Sequence, residues 1–388
     1  MIHFLAKLFI KDYENTGSPE VRRSYGILCG CVGVGLNILL FAGKFLAGII
    51  SGSIAVTADA VNNLSDAGSS IVTLLGFKLA AQAPDRDHPF GHGRLEYISG
   101  LVVSMVILLM GVELGKSSLE KILHPEPVDF SPLVVVILCA SILVKLYMVS
   151  YNRGIGKRIS SPAMAATAAD SLSDCLATSA VLLGTLAGHF WNLRIDGWCG
   201  AAVALFILWS GFGAAKETVN PLLGQPPSAE FVGKIYELVA AKPEIIGIHD
   251  LIVHDYGPGR RILSLHAEVP ASGDILELHD VVDALERQLN EELGCLATIH
   301  MDPVVNDGGV TDGAKERVLS MAHEIDPGIS IHDFRMVPGP THTKLIFDAE
   351  VPYQCSLPDS EIRKRIQDGV RALDPKWSAA VNVEKSYL

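Results

Sequence analysis

Asn62-Asn63-Leu64-Ser65-Asp66 lies within one apolar stretch of the chain, and Asp170-Ser171-Leu172-Ser173-Asp174 lies within another. Each stretch is long enough to cross a bilayer, which takes about 20 helical residues. The spacing of i and i+4 places both polar side chains of each pair on one helix face. Ionisable groups at this depth are costly unless they are paired, so they indicate function. Two such faces turned together predict a four-ligand oxygen site for a divalent cation inside the membrane.

The composition also indicates a membrane protein. Mean hydropathy is +0.33 over 388 residues and only 19% of the residues are charged, which lies on the apolar side for a soluble domain. Apolar runs of about 20 residues predict six transmembrane helices. These spans are 26–50, 54–81, 95–119, 131–152, 163–190 and 195–219.

Basic residues in the short connections predict the orientation, because cytoplasmic loops carry an excess of Lys and Arg. The N-terminal tail, the 82–94 loop and the 153–158 loop are basic, and they fall on one side of a six-helix domain. Lys121 and Arg194 are minority signals for the other side. We therefore predict an integral protein of the plasma membrane with cytoplasmic N- and C-termini.

The net charge of −12 comes entirely from the C-terminal part of the chain. Residues 1–222 contain 16 basic and 16 acidic residues, whereas residues 223–388 contain 15 basic and 27 acidic residues. A soluble acidic appendage excludes nucleic acid as a partner. Its field would concentrate cations, although a solvated acidic surface is the simpler explanation of the charge.

The sequence of this acidic part predicts two related modules. Helices at 229–241 and 275–292 and strands at 246–254, 261–269 and 295–301 predict a small α+β module of order α-β-β-α-β. Ile248-His249-Asp250-Leu251 recurs as Ile331-His332-Asp333-Phe334, which indicates a duplication. Helices at 314–325 and 358–372 and a strand at 379–384 complete the second copy. The predicted domains are 1–222, 223–305 and 310–388.

The polar residues within the spans have a structural alternative, because polar side chains also hold helices together in lipid. Three carboxylates without a cation would repel each other or take up protons, which favours a metal site. Asp59 is either an accessory residue of that site or a helix-end residue. Glu113 and Lys145 are interpreted as interior or interface ion-pair residues rather than ligands.

Two further groups contain residues that can bind metal. Asp85, His88 and His92 follow the second span, and a turn there would bring them together on one ion, although this spacing alone is weak evidence. The first soluble module contributes a second group, for which single structural histidines are the alternative. This group comprises His249, His266, His279, His300 and Asp302.

Taken together, these motifs resemble the cation diffusion facilitator (CDF) family over residues 20–305, and within it the manganese-exporting branch. The segments that carry the resemblance are Ser51-Gly52-Ser53, Ala58 to Asp66, His88 to Glu96, Ala169 to Asp174, Gly247 to Leu251 and His300 to Pro303.

The resemblance implies a homodimeric divalent-metal/proton antiporter with an α-helical membrane domain of six transmembrane helices and a ferredoxin-like α+β cytoplasmic domain. It places the transport site at Asn62, Asp66, Asp170 and Asp174. It places a loop site at Asp85, His88 and His92, and a cytoplasmic site at His249, His266, His279, His300 and Asp302. The implied partners are divalent cations, protons, the lipid bilayer and a second copy of the chain, with no cofactor beyond the transported metal.

Departures from the family pattern bear on the ion. Zinc-type members carry His in one or both intramembrane pairs, whereas this chain has only Asn and Asp there. An all-oxygen set suits harder ions, so Mn²⁺ is favoured and Zn²⁺, Fe²⁺ and Co²⁺ remain open.

Two further departures concern other parts of the chain. Gly224 replaces an acidic residue that in some relatives pairs with the equivalent of Arg94, which puts that interlock in doubt. The second module keeps His332 but has Asn382-Val383-Glu384 in place of His300-Met301-Asp302.

The predicted function is therefore cation efflux coupled to protons, by alternating access. No Walker A string or phosphorylation motif is present, so the energy should come from a proton gradient. No nucleophile–base set appears, which argues against an enzyme. A metal-sensing membrane scaffold and a selective channel are the alternatives from other classes, and uphill export that fails when the pH gradient collapses separates the antiporter from both.

Overall fold

The computed structural model describes residues 2–51, 54–124, 131–191, 195–304, 309–339 and 342–386, without the side chains of 19, 47, 48, 50, 51, 54–59, 196 and 386. Gly52-Ser53 of the resemblance, Arg194 and the side chain of Asp59 therefore lie outside the described residues. The chain divides into two compact units. The helical unit comprises residues 1–225 and 255–260, and the sheet unit comprises residues 226–254 and 261–388.

The helical unit consists of seven described helices. They are α1 (Ile2–Phe9), α2 (Pro19–Ser51), α3 (Ile54–Ala80), α4 (Leu95–Leu123), α5 (Pro132–Arg158), α6 (Pro162–Trp191) and α7 (Asp196–Leu223). Among the described residues, five helices are long and apolar enough to cross a membrane: α2 and α4 to α7. The remaining predicted span, 54–81, corresponds to α3. The described part of α3 is rich in polar residues, and its crossing of the membrane stays a prediction.

The helices bury polar side chains on their inner faces and leave large apolar residues exposed. Leu109, Leu143 and Leu205 are among the exposed apolar residues, as expected for surfaces in contact with lipid. One buried core contains Tyr25, Phe77, Met148, Tyr151 and Met164, from helices α2, α3, α5 and α6. The polar residues are thus directed into the helix bundle, where they can contact each other rather than lipid.

A buried ion pair connects the ends of three of these helices. Arg22 of α2 binds both carboxylate oxygens of Glu96 at the start of α4, with Nη2 2.7 Å from Oε1. Ser161, just before α6, donates to the same Oε1 at 2.5 Å. A bidentate Arg–carboxylate pair is geometrically specific, so this network fixes how the three helix ends meet.

The sheet unit contains two modules in sequence. The first comprises α8 (Ala229–Ala240), β1 (Gly247–Asp255), β2 (Arg261–Pro270), α9 (Ile275–Leu293) and β3 (Cys295–Val304). The second comprises α10 (Val310–His323), β4 (Ser330–Pro338), β5 (Thr343–Pro352), α11 (Asp359–Leu373) and β6 (Trp377–Ser386). The predicted α-β-β-α-β order is confirmed in both modules, whereas the origin of the second module by duplication stays a prediction.

Each module forms one three-stranded sheet with its own hydrophobic core. The strand orders are β1-β2-β3 and β4-β5-β6, and the last pair of each sheet is parallel. Along β2 the residues from Leu263 to Val269 are buried alternately, so one face of the strand packs on the helices. The opposite face carries His266, beside His300 of β3 in the strand register. The side chains with metal-binding capacity therefore emerge on the opposite face of the sheet from the buried residues of β2.

Candidate metal centres

Three carboxylates meet inside the helical unit, from two helices. Asp170 and Asp174 are one turn apart on α6, and Asp66 lies on α3. One oxygen from each of the three lies within 4.8 Å of the others, and all three side chains are buried or nearly so. Asp170 Oδ1 is fully buried and has no hydrogen-bond partner among the described residues. A buried carboxylate oxygen without a partner is costly, and a bound cation would remove that cost.

Lys145 of α5 provides the positive charge in this cluster. Its Nζ lies 2.6 Å from Asp66 Oδ2 and 2.7 Å from Asp174 Oδ2, and the Lys145 side chain is only 3% exposed. The interpretation of Lys145 as an interior ion-pair residue is therefore confirmed, and its partners are two of the predicted metal ligands. The residues of the cluster come from three different helices, α3, α5 and α6.

Asn62, the fourth predicted ligand, differs from the carboxylates in its environment. Its side chain is exposed, whereas the adjacent Asn63 is only 2% exposed. On a helical wheel Asp66 lies between the two, about 40° from Asn62 and about 60° from Asn63. The boundary between exposed and buried surface thus falls beside Asp66, on the Asn62 side, and the prediction of Asn62 as a ligand stays a prediction.

The second group of predicted ligands converges in the 82–94 loop. Asp85, His88 and His92 each offer one atom within 4.8 Å of the others. Asp85 Oδ1 accepts hydrogen bonds from the backbone N–H groups of His88 at 2.7 Å and Asp87 at 3.0 Å. The backbone N–H of His88, and to a lesser extent the nearby His92, hold the pKa of Asp85 below its usual range. The carboxylate is thus kept in the ionised form that binds metal.

The two histidine rings of this loop site are in contact, with centroids 4.5 Å apart and planes tilted by 51°. His92 Nε2 is 3.1 Å from His88 Nδ1 and 3.3 Å from Asp85 Oδ2. His92 Nδ1 is buried and has no hydrogen-bond partner among the described residues. Gly91 between them has φ of +83°, a conformation that a side chain would strain. The loop geometry therefore depends on glycine at this position.

A turn at 255–260 packs against this loop. No local sequence pattern indicates that contact. Arg94 donates from Nε and Nη2 to the backbone oxygen of Asp255, at 3.0 and 2.8 Å. Arg260 donates to the backbone oxygen of Gln82 at 2.7 Å, and the rings of Phe90 and Tyr256 stack at 4.6 Å. Arg94 is thus held by a main-chain oxygen, which is consistent with the doubt about an interlock at Gly224.

The third group lies on the face of the first sheet that carries His266 and His300. His249 of β1, His266 of β2 and Asp302 of β3 place their ligand atoms within 4.8 Å of one another. Asp302 Oδ2 is 2.9 Å from His266 Nδ1 and 3.2 Å from His249 Nε2. Despite that distance, His249 Nε2 makes no hydrogen bond to any described residue, and it is buried. With Nδ1 donating to Asp250 Oδ2 at 3.2 Å, the Nε2 atom would present its lone pair to a metal ion.

Two of the predicted cytoplasmic ligands do not share this position. His300 is at the edge: its ring is 66% exposed, with Nε2 3.3 Å from Asp302 Oδ1. His279 is exposed on α9 and lies outside the group of three, so its role as a ligand stays a prediction. The buried face of α9 is formed by Leu278, Val282, Leu285 and Leu289. His279 follows Leu278 directly and so points about 100° away from that face.

The second module covers part of the third group. The His332 ring stacks on that of His249, with centroids 4.8 Å apart and planes at 11°. Asp250 and Asp333, which follow these histidines, both have φ near +50° (52° and 48°), so the local backbone recurs in both modules. Burial and the negative charge of Asp250 raise the pKa of Glu384 in the second module. The two modules therefore contribute acidic and imidazole groups to one region of the sheet unit.

Comparisons with known proteins identify the family. Residues 31–223 match the family model for the cation efflux transmembrane domain, and residues 227–304 match that for the cytoplasmic domain of cation efflux proteins. The chain is 32% identical over 269 residues to an uncharacterized transporter of Methanocaldococcus jannaschii, which covers 69% of this chain and 95% of that protein. It is 28% identical over 288 residues to the cation-efflux pump FieF of Escherichia coli, covering 73% and 95% of the two chains.

Proposed function

Since this chain belongs to the cation efflux family, whose members are membrane transporters of cations and not enzymes, we propose that it exports divalent transition metals from the cytoplasm in exchange for protons. Mn²⁺ is the preferred ion in this proposal, and Zn²⁺, Fe²⁺ and Co²⁺ are alternatives with the same mechanism. The transporter works in the plasma membrane, with both chain termini in the cytoplasm. In this proposal, residues 1–222 serve transport and residues 223–305 serve metal response and dimerisation. Residues 310–388 are a second, divergent copy of the cytoplasmic domain.

The observation that carries the proposal is the buried carboxylate cluster. Asp66, Asp170 and Asp174 supply only oxygen atoms, and the unpartnered Asp170 Oδ1 lies among them. Carboxylate oxygens are typical ligands of Mn²⁺, whereas Zn²⁺ sites more often contain imidazole or thiolate. Asn62 would add its amide oxygen by rotating toward the cluster from the exposed edge of α3. The expected shell is thus made of oxygen alone.

Transport follows from alternating access to this cluster. Facing the cytoplasm, the ionised carboxylates bind the metal, and rocking of the helices then opens the site to the other side. Protons compete there with the ion for the same oxygens and displace it. Protonation lowers the negative charge that the empty site carries through the low-dielectric interior on its return.

The other two groups have a different role in this proposal. Metal bound at Asp85, His88 and His92, and at His249, His266 and Asp302 with His300 at its edge, stays with the protein and is not transported. Metal on the acidic sheet unit offsets repulsion between the two copies of a homodimer and favours the transport-ready state. The sheet unit thereby acts as a sensor of the cytoplasmic metal concentration.

Uptake into proteoliposomes with an imposed pH gradient tests the proposal. We expect the wild-type protein to accumulate Mn²⁺ against its gradient, and to stop when the pH gradient is collapsed. Asp174→Asn, which keeps the shape of the side chain but removes its charge, should abolish accumulation. Accumulation of Zn²⁺ instead of Mn²⁺ would refute the predicted ion. Metal binding without uphill movement of either ion would refute transport and favour a metal-sensing scaffold.

A further inference from the structure

The position of Lys145 differs from that of a simple ion-pair residue. Its ammonium group bridges oxygens of two carboxylates, from Asp66 on α3 and Asp174 on α6, at 2.6 and 2.7 Å. A metal ion shared by these two carboxylates would compete with the ammonium group for their negative charge. Lys145 therefore lies where it can act as the cation of the empty cluster.

The third carboxylate distinguishes the ammonium group from a metal ion. Among the described contacts, Lys145 makes hydrogen bonds to Asp66 and Asp174 only, and Asp170 Oδ1 has no partner. The oxygens of all three carboxylates are close enough together for one ion to bind them. A divalent ion can thus gain a ligand that the lysine leaves unused, and its double charge gives it a further advantage over the ammonium group.

On this basis, and resting on the proposed transport function, we propose that Lys145 is a tethered counter-cation that the transported metal displaces from Asp66 and Asp174, and that returns to them after release. The lysine keeps its charge throughout and only changes position. It weakens metal binding, because the incoming ion must break two charge-assisted hydrogen bonds. In return, it stabilises the empty site during the step that brings the transporter back.

The proposal predicts opposite effects on binding and on net transport. In Lys145→Gln the competing charge is gone, so Mn²⁺ should bind the transport site about tenfold more tightly or better, as expected from the coupling energies of close charge pairs. The empty site then lacks its counter-cation, so net export should slow. Exchange of internal for external Mn²⁺ never requires an empty return, and it should continue at the wild-type rate or faster.

The experiment compares these three quantities in the full-length protein, with Mn²⁺ as the probe. Lys145→Arg keeps the positive charge and should retain weak binding, while Lys116→Gln, on the exposed face of α4, is the matched control for loss of a lysine. Asp174→Asn defines which part of the binding belongs to the transport site. If Asp174→Asn binds and transports Mn²⁺ like the wild type, the proposed function fails independently of Lys145.

Two results would overturn the role of Lys145 itself. Unchanged Mn²⁺ affinity in Lys145→Gln would mean that the lysine does not compete with the ion. Weaker binding, with exchange and net export lost together, would mean that it only holds the helices in place. If Lys145→Gln folds poorly without metal, its melting temperature is measured with and without Mn²⁺. The proposal then requires that Mn²⁺ raise the melting temperature of Lys145→Gln by more than it raises that of the wild type.

Discussion

The carboxylate cluster of the helical unit and the histidine cluster of the sheet unit both bring three metal-binding side chains within 4.8 Å, but they differ in donor atoms and in the charge already present. Asp66, Asp170 and Asp174 supply oxygen only, and the ammonium group of Lys145 lies between two of them. His249, His266 and Asp302 supply two nitrogens and one carboxylate, with no lysine or arginine in ion-pair contact among the described residues.

In the proposed function, this difference would separate a transported ion from a resident one. An oxygen site with a competing internal cation should bind metal more weakly and release it more readily. An imidazole site with an unpaired, buried nitrogen gains strongly from a metal ion and loses by releasing it. The two clusters should therefore respond differently to the same kind of substitution.

The largest expected effect is in the carboxylate cluster. Asp174→Asn removes a charged ligand and leaves Lys145 with a single carboxylate, so Mn²⁺ affinity at this site should fall by about 2 kcal/mol or more, that is about 30-fold. Net export should be lost with it. Equilibrium binding and proteoliposome uptake measure the two effects. The contrast between the two clusters would be contradicted if Asp174→Asn kept its uptake of Mn²⁺ but lost metal binding at the histidine cluster.

The next effect concerns the residue that orients a histidine ligand. Asp250 Oδ2 lies 3.2 Å from His249 Nδ1, on the other side of the ring from Asp302. Asp250→Asn should lower metal affinity of the sheet unit by about 10- to 100-fold, as is typical for partners of metal-binding histidines. Transport at saturating Mn²⁺ should continue. Asp283→Asn, on the exposed surface of α9, is the matched control.

A smaller effect distinguishes two adjacent asparagines. Asn62→Ala should weaken Mn²⁺ binding at the transport site by a few-fold, since one neutral oxygen contributes about 0.5–1.5 kcal/mol. Asn63→Ala should instead lower the melting temperature, because it removes a buried polar group from α3. The reverse result would assign the fourth oxygen to Asn63.

The smallest effects test the edge of the histidine cluster. His300→Ala should reduce the metal affinity of the sheet unit by less than Asp250→Asn does. The reason is that the His300 ring is mostly exposed and, among the described residues, lies within ion-pair distance of Asp302 Oδ1 only. His279→Ala should leave the affinity of a single chain unchanged. A loss of affinity in His279→Ala that appears only in the dimer would place this residue at a site shared between two copies.

The sequence allowed much of the carboxylate site to be predicted, because ligands one helical turn apart are a local pattern. Asp170 and Asp174 share a face of α6 for that reason alone. The contacts of Lys145 depend on tertiary packing, since its partners lie 79 and 29 residues away, and no local spacing indicates them. The packing of the 255–260 turn on Arg94 is nonlocal in the same way.

Other differences could have been anticipated from periodicity. The apolar residues Leu278, Val282, Leu285 and Leu289 define the buried face of α9 and exclude His279 from it. For the sheet unit, the alternation of apolar residues correctly predicted the strands, and the register of β2 against β3 brings His266 close to Asp302. Sequence could not indicate that His332 stacks on His249, because the two belong to different modules.

Pulsed electron paramagnetic resonance of Mn²⁺ bound to the full-length protein tests most directly whether the two clusters hold metal by different donors. With the loop site removed by His92→Ala, we predict one bound population without nitrogen coupling, which disappears in Asp174→Asn. We predict a second population coupled to imidazole nitrogen, which disappears in His249→Ala. Nitrogen coupling in all bound Mn²⁺, unaffected by Asp174→Asn, would contradict an all-oxygen transport site in the membrane.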